Sequence, residues 1–305
     1  MMIEPNWQIA RKRHTLENRA RIIQQIRAFF IRHDFLEVET PHRIPANAPE
    51  LNIDAVPAAD WFLQTSPELC MKRLLAAGFE RLFQICHCWR AGERSNTHLP
   101  EYSMLEWYRS HCDYRQLMAD CEALLTELKP DHRIFRQGQT IDLTPPWPRL
   151  TVADAFLQFS SMPLATALAT DEFDSVMAFE IEPNLPKDRP LFLFEYPVEH
   201  ASLARKKISS PAVAERFELY IGGLELANAF SELTDPVEQQ QRFTMEEMQR
   251  RKLGKTPYPT PEPFIKELAT LPPSAGIALG IDRLIMLLCD KNNIDDVVSF
   301  SPEQL

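Results

Sequence analysis

Two extended, apolar-rich segments, residues 82–89 and 102–108, are joined by a polar loop with no helix between them. Parallel neighbours need a crossover of about a dozen residues or more, usually helical, whereas antiparallel neighbours can be joined directly. The pair therefore predicts two antiparallel strands. Further extended segments at 35–39, 191–196, 217–222 and 276–280 have hairpin-like spacing and outnumber the connections that a βαβ repeat would need. Together they predict an α+β fold built on an antiparallel sheet flanked by helices.

Helical spacing accounts for much of the remainder. Leu16, Ala20, Ile23, Ile26, Phe29 and Phe30 predict a helix over 14–33. Ser66 is placed to cap a helix that has Pro67 at its first position and ends at Gly78. Helices are also predicted at 114–128 and 236–252, and the strand at 276–280 runs into an apolar helix at 282–289. Residues 130–148, rich in proline, and 255–263 read as loops. A chain of 305 residues buries one sizeable core, or a core with a small appendage, and the sequence shows no internal repeat.

Composition narrows the partners. Hydrophobic residues make up 45% and charged residues 25%, an ordinary globular balance. No run approaches the roughly 18 apolar residues that span a bilayer. Residues 1–13 lack an apolar signal core, so a cytoplasmic protein is expected. The six cysteines are scattered through apolar or amphipathic segments, which suits reduced, packed thiols. Cys86-His87-Cys88, with His98 and Cys112 beyond, lacks the gaps of a tetrahedral zinc site, and strand packing is expected there. The net charge is −10 and the longest basic cluster is Arg205-Lys206-Lys207, so tight tRNA binding is disfavoured.

Three segments carry a family resemblance. FFIRHDFLEVETP (29–41) is a helix leading into a strand that stops at proline. FQICHCWRAGERSNTHLPEYSMLEWY (83–108) is a strand, a loop and a strand. GIALGIDR (276–283) is a strand entering a helix. In this order they resemble the three signature motifs of the class II aminoacyl-tRNA synthetases, and the resemblance implies that family's catalytic core. The string ERFELYIGGLELANAFSELTDPVEQQQRF (215–243) is similar to lysyl-tRNA synthetases in particular.

The resemblance implies a site, residue by residue. Arg90 and Arg283 match the catalytic arginines that hold ATP and the amino-acid carboxylate; an arginine fork neutralises such oxygens bidentately and stays protonated. Glu93, Glu225, Leu226, Asn228 and Gly280 join them around the nucleotide. Glu218 and Glu225, seven residues apart, match the magnesium-holding pair, and Mg2+ favours carboxylate plus phosphate oxygens. Ser66, Glu68, Glu106, Tyr108, Glu232 and Ala278 fall on the amino-acid site, where three carboxylates favour a diamino acid. The first motif implies a two-fold homodimer.

The family's bacterial lysyl-tRNA synthetases carry an anticodon-reading OB-fold ahead of this core. Here the first motif's helix begins near residue 14, so residues 1–305 are expected to form a single catalytic domain without that barrel. The chain thus resembles the truncated synthetase paralogues that attach β-lysine to a lysine of elongation factor P. LEWY (105–108) and Ala278 match those paralogues, whereas synthetases proper have glycine at the latter position. The implied reaction is ATP-dependent formation of a lysyl-type adenylate, then transfer to an amine of the acceptor protein. No residue stands out as the base for that transfer. The sequence departs from the synthetase pattern at Ala91-Gly92-Glu93, at Leu99 in place of asparagine, and at Ala229 in place of glycine. The rival readings are a shortened tRNA-lysylating enzyme, or one with another acceptor, and a non-catalytic, synthetase-like subunit.

Overall fold

The computed structural model describes residues 7–201 and 203–305, so the first six residues of the N-terminal stretch lie outside it. The described part begins with helices α1 (Trp7–Ala10) and α2 (Arg13–Arg32) and the short strands β1 (Leu36–Glu37), β2 (Arg43–Ile44), β3 (Pro57–Ala58) and β4 (Trp61–Leu63). Helix α3 (Glu68–Ala76) precedes β5 (Arg81–Trp89), β6 (Glu101–Ser110) and α4 (Tyr114–Leu128). Strands β7 (Arg133–Arg136), β8 (Gln139–Asp142) and β9 (Arg149–Thr151) lead to α5 (Val152–Phe159), α6 (Leu164–Ala169) and α7 (Phe173–Val176). Next come β10 (Leu191–Pro197), β11 (Lys206–Lys207), β12 (Ser210–Ile221) and β13 (Leu224–Ser231). Helices α8 (Pro236–Lys252) and α9 (Glu262–Glu267), strand β14 (Ser274–Gly280) and helix α10 (Ile281–Leu288) complete the α-helices and strands.

One sheet organises the molecule, in the order β1-β5-β6-β14-β13-β12-β10-β9, with β11 paired to β12. Pairings from β5 through β10 are antiparallel, while the edge pairs β1–β5 and β9–β10 are parallel. The predicted α+β, antiparallel class therefore holds, with parallel additions at its margins.

Side chains alternate along a strand, and here the alternation separates two faces of different chemistry. Phe83, Leu105, Trp107, Ile277, Leu279, Phe217 and Leu219 form one core with Phe29 and Phe30 of α2, Leu117 and Leu124 of α4, and Leu284 and Ile285 of α10. Each such buried side chain contributes about 1.5–3 kcal/mol, so this face anchors the sheet. The opposite face carries Gln84, Glu106, Ala278, Asn228 and Glu218, which stand opposite one another in register across five strands. Near one end of that face, Leu69, Met71 and Leu75 of α3, Phe243 of α8 and Phe264 of α9 cover Leu82 and Tyr108.

Several predicted boundaries are met because local chemistry sets them. Asp113 accepts a hydrogen bond from the Arg115 amide and caps α4, and Asp235 does the same for α8 ahead of Pro236. Helix α3 starts at Glu68, one residue later than predicted, and the Ser66 hydroxyl accepts from the Glu68 amide at 3.0 Å. The strand expected over 35–39 shortens to Leu36–Glu37, and the one expected over 217–222 is the end of the longer β12.

The expected loop at 130–148 is not wholly irregular, because β7 and β8 form a hairpin within it. Gln137 and Gly138 both have positive φ, 51° and 81°, the geometry of a two-residue hairpin turn. Alternation there is masked because Arg136 is buried beside Ile134 and Ile141. Helices α5 to α7, which build a second apolar cluster with Leu191, Leu193 and Tyr196, were not predicted, and neither was β13 as a separate strand.

Candidate active site

The polar face of the sheet gives the site its layout. Moving across the strands, Glu218 on β12 is opposite Asn228 on β13, Asn228 opposite Ala278 on β14, and Ala278 opposite Glu106 on β6. A cavity of about 230 Å3 opens over the middle of this row, at Asn228 and Ala278. It collects Arg90, Glu93, Glu225, Leu226, Asn228, Ala278, Gly280 and Arg283 from the predicted site. Glu218 is one strand beyond the lining, and the Glu68, Glu106, Tyr108, Glu232 group lies on the other side of Ala278.

Two arginines line the cavity. The Arg90 guanidinium stacks on the Tyr102 ring, 5.3 Å from its centroid, and lies 3.8 Å from Glu93. Burial works against its charge, but Tyr102, Glu93 and Glu50 outweigh that and raise its pKa. Its Nε is buried with no hydrogen-bond partner, so the fork retains donor capacity. Arg283 donates to the Glu225 backbone oxygen at 2.7 Å, to the Thr97 oxygen at 3.2 Å and to His98 Nε2. Burial, and then Arg283 itself, lower the pKa of His98, keeping the imidazole neutral and able to accept. At Gly280 an added Cβ would meet nothing but the Arg283 side chain, at 3.9 Å, so the cavity there is open down to the backbone.

The departures from the synthetase pattern have local explanations. Ala91 and Gly92 form a turn in which Gly92 has φ +79°, and this turn swings Glu93 to the cavity wall. Leu99 is buried in the main core while also touching the cavity. Ala229 faces the core beside Ile277, away from the site.

Beyond Ala278 lies a buried carboxylate cluster. Ser66 donates to Glu106 Oε1, and the Tyr108 hydroxyl donates to Glu106 Oε2 at 3.0 Å. Burial first, and Glu68 second, push the Glu106 carboxyl up to about 8. Glu232 is also raised to about 8 by burial, against the opposing pull of Lys72. Gly276 makes this packing possible: a Cβ there would fall 2.1 Å from the Tyr108 ring and 2.6 Å from Glu232 Oε1.

The cluster already contains a cation of the chain's own. Lys72 of α3 places its ammonium between Glu68 and Glu232, with the Phe230 ring 4.9 Å away. Burial lowers the affinity of Lys72 for its proton, but the two carboxylates more than compensate and raise its pKa. The three carboxylates singled out in the sequence are therefore not all uncompensated. Glu232 Oε1 remains without a hydrogen-bond partner, leaving an acceptor directed into the cluster.

The predicted magnesium pair is split between burial and solvent. Glu218 is held by Arg216 at 2.6 Å and by the Tyr220 hydroxyl at 2.7 Å, and burial raises its pKa. Glu225 is 39% exposed and touches Arg283. Glu182 adds a third acid, raised to about 7 by burial and then by Glu218 and Glu225. Among the described residues no three His, Cys, Asp or Glu side chains converge into a complete cation cage. Glu225 on the cavity wall, with Glu218 one strand beyond it, nevertheless offers hard oxygen donors that fit Mg2+, which binds through one or two carboxylates plus substrate phosphates.

Lys72, Glu50, Arg216 and Glu182 escaped sequence reasoning, and His98 entered it only beside the cysteines of a rejected zinc site. Only Lys72 left a usable signal, four residues after Glu68 on one helix face. Cys86 and Cys88 pack with Met104 inside the protein, while His87 points outward to Glu101.

Residues 7–304 match the family model described as tRNA synthetases class II (D, K and N). A protein of Enterobacter sp. (strain 638) named elongation factor P–(R)-beta-lysine ligase is 36% identical over 318 residues, covering 98% of both chains. Its namesake from Pectobacterium carotovorum subsp. carotovorum is 37% identical over 323 residues, again covering 98% of both. A lysine–tRNA ligase of Magnetococcus marinus is 36% identical over 318 residues, spanning 94% of this chain but 64% of its own length.

Proposed function

The chain belongs to the class II tRNA synthetases of the aspartate, lysine and asparagine group, and on that premise we propose that it is an ATP-dependent ligase that activates (R)-β-lysine and transfers it to a lysine side chain of elongation factor P. The observation that carries this reading is the placement of Ala278 between two chemically distinct compartments. On one side is the open cavity with Arg90 and Arg283; on the other, Glu106 with its neighbouring acids. A diamino acid spans that boundary, its carboxylate beside the arginines and its side-chain ammonium among the acids. Relatives bearing the elongation factor P ligase name match over nearly their whole length, which supports the same acceptor.

In the first step the amino-acid carboxylate attacks the α-phosphorus of ATP, the bond to the β-phosphate breaks, and pyrophosphate leaves. The protein's contribution is positioning and charge. Arg90, with its unspent Nε, and Arg283, held by Thr97, Glu225 and His98, flank the site of developing charge. Mg2+ held by Glu218 and Glu225 would neutralise phosphate charge. Glu106, fixed by Ser66 and Tyr108, and the free Glu232 oxygen would receive the substrate ammonium. The acceptor amine then attacks the carbonyl carbon and AMP departs.

The reading includes a cytoplasmic homodimer built on α2 and β1, where Ile31 and Leu36 are exposed at the sheet margin. No helix among the described residues is long and apolar enough to cross a membrane. The net charge of −10 supports a protein acceptor over tRNA. The test is pyrophosphate exchange with each lysine isomer, followed by radiolabel transfer to elongation factor P or to tRNA. Exchange with a lysine isomer and label on the factor are expected. Label on tRNA with none on the factor would identify a shortened lysyl-tRNA synthetase instead.

A further inference from the structure

The transfer step needs a group to take a proton from the incoming amine, and the cavity contains one carboxylate with no other task. Glu50 lies in the loop between β2 and β3 and lines the cavity beside Arg90, Glu93 and Tyr102. Its backbone is held firmly: Arg250, whose side chain is fully buried, donates to the Glu50 oxygen at 2.7 Å and to the Ile53 oxygen at 2.8 Å. Asp54, on the same loop, is tied to Arg250 and to Lys255, both at 3.0 Å, and its oxygen accepts from the Ala91 amide. The Glu50 carboxylate itself has neither a hydrogen bond nor an ion pair among the described residues. The other acids that line the cavity are paired, Glu93 with Arg90, Glu225 with Arg283 and Asp282 with Arg19, and the neighbouring Glu106 is held by Ser66 and Tyr108, Glu232 and Glu68 by Lys72, and Glu218 by Arg216.

We propose that Glu50 is the general base of the transfer step, accepting a proton from the acceptor amine as it attacks the adenylate. Its position favours that role over substrate binding. It is on the arginine side of the boundary, where the activated carbonyl would lie, within electrostatic reach of both Arg90 and Glu68. Burial, and next Glu68, push its carboxyl up to about 7, with Glu246 acting in the same direction and Arg90 and Arg216 opposing. A base in that range is about half ionised at neutral pH and strong enough to be useful.

The chemistry balances without another reactant. The neutral amine nitrogen forms a bond to the carbonyl carbon, and the nitrogen, now positively charged, gives one proton to Glu50. The bond from that carbon to the phosphate oxygen breaks, and AMP leaves with the electron pair. Glu50 then releases its proton to solvent.

This inference rests on the two-step reading above, so its test separates the steps. Adenylate is formed on the enzyme and chased in single turnover with either elongation factor P or Nα-acetyl-lysine, alongside pyrophosphate exchange. Glu50→Gln should lose transfer at least about 10²-fold more than it loses exchange, within the usual range for a general base. Glu50→Asp should restore part of the transfer. In the unmodified enzyme, log transfer rate should climb with a slope of about two below pH 7, because base and amine must both shed protons, and about one above it. Glu50→Gln should show slope one throughout. Equal losses of exchange and transfer would instead make Glu50 a substrate-binding group, and unchanged transfer would overturn the proposal. Label on acetyl-lysine but not on the factor would retire the acceptor reading while leaving the Glu50 result to stand. Label on neither would retire both.

Discussion

The ammonium of Lys72 lies against the carboxylate of Glu232 at a depth where the two side chains are only 2% and 0% exposed. A chain that binds a cationic amino acid has thus placed a cation of its own in the same cluster. The pair also joins α3 to the end of β13, elements far apart in sequence.

Replacing Lys72 with Met should therefore be costly. Removing one partner of a buried pair typically destabilises by about 3–5 kcal/mol, because the other charge is left uncompensated. Urea unfolding should show that loss growing as pH rises above 8, since below it Glu232 escapes by protonation. A variant as stable as the parent at pH 9 would show that the pair contributes nothing.

The same raised carboxyls make stability depend on pH in an unusual direction. Glu106 and Glu232 hold protons up to about pH 8 when folded, but only to ordinary carboxylate values when unfolded. Between those limits the folded state binds more protons, so these two groups favour folding less as pH rises. Thermal unfolding of the ligand-free protein should reflect a declining contribution between pH 5 and 8. Lysine isomers, whose ammonium needs ionised partners, should raise the midpoint more at pH 8.5 than at 6.5. Stabilisation by ligand that is equal at both would contradict this arrangement.

Arg283→Ala should impair activation while leaving the fold intact. Losing one preorganised donor in a transition state costs about 3 kcal/mol, or roughly 10²-fold. The drop should appear in the rate of pyrophosphate exchange, with little change in the far-ultraviolet dichroism spectrum. Exchange at the parental rate would remove Arg283 from the mechanism.

Gly276→Ala and Ala278→Gly, two residues apart on β14, should behave oppositely. At Gly276 the added methyl collides with the Tyr108 ring, and overpacking of this sort costs about 1–3 kcal/mol. The shifted Tyr108 would release Glu106, so KM for the amino acid should rise. At Ala278 a methyl is removed from the cavity wall, and one methyl is worth about 1–3 kcal/mol of discrimination. Exchange assays should show relative use of α-lysine increasing over β-lysine. A pocket indifferent to that change would mean that Ala278 does not select the isomer.

Legibility in the sequence followed the range of the interactions responsible. Helices α4 and α8 were readable to the residue because their caps, Asp113 and Asp235, are adjacent in sequence to what they cap. The β7–β8 hairpin was hidden by an inward-facing arginine, Arg136, and by a Gln-Gly turn in place of the commoner Asn-Gly. The arginines and most acids of the site were reached through a resemblance that matched whole motifs. Glu50 was not reachable in that way: it sits on a loop without periodicity, held by Arg250, 200 residues further along the chain. Lys72 was half legible, since its spacing from Glu68 is local but its contact with Glu232 depends on how α3 packs against the sheet.

The row Glu218, Asn228, Ala278, Glu106 acts as a ruler whose graduations are strands. Neighbouring strands are about 4.8 Å apart, so the phosphate-side and ammonium-side carboxylates are anchored roughly 14 Å from each other, three steps away. Point substitutions can lengthen or shorten a peg but cannot move the holes, because each step is set by backbone hydrogen bonds. Adaptation to a new amino acid on this scaffold is thereby confined to changing side-chain length at fixed stations, and Ala278, the shortest peg midway along the row, is the station with the most room to change.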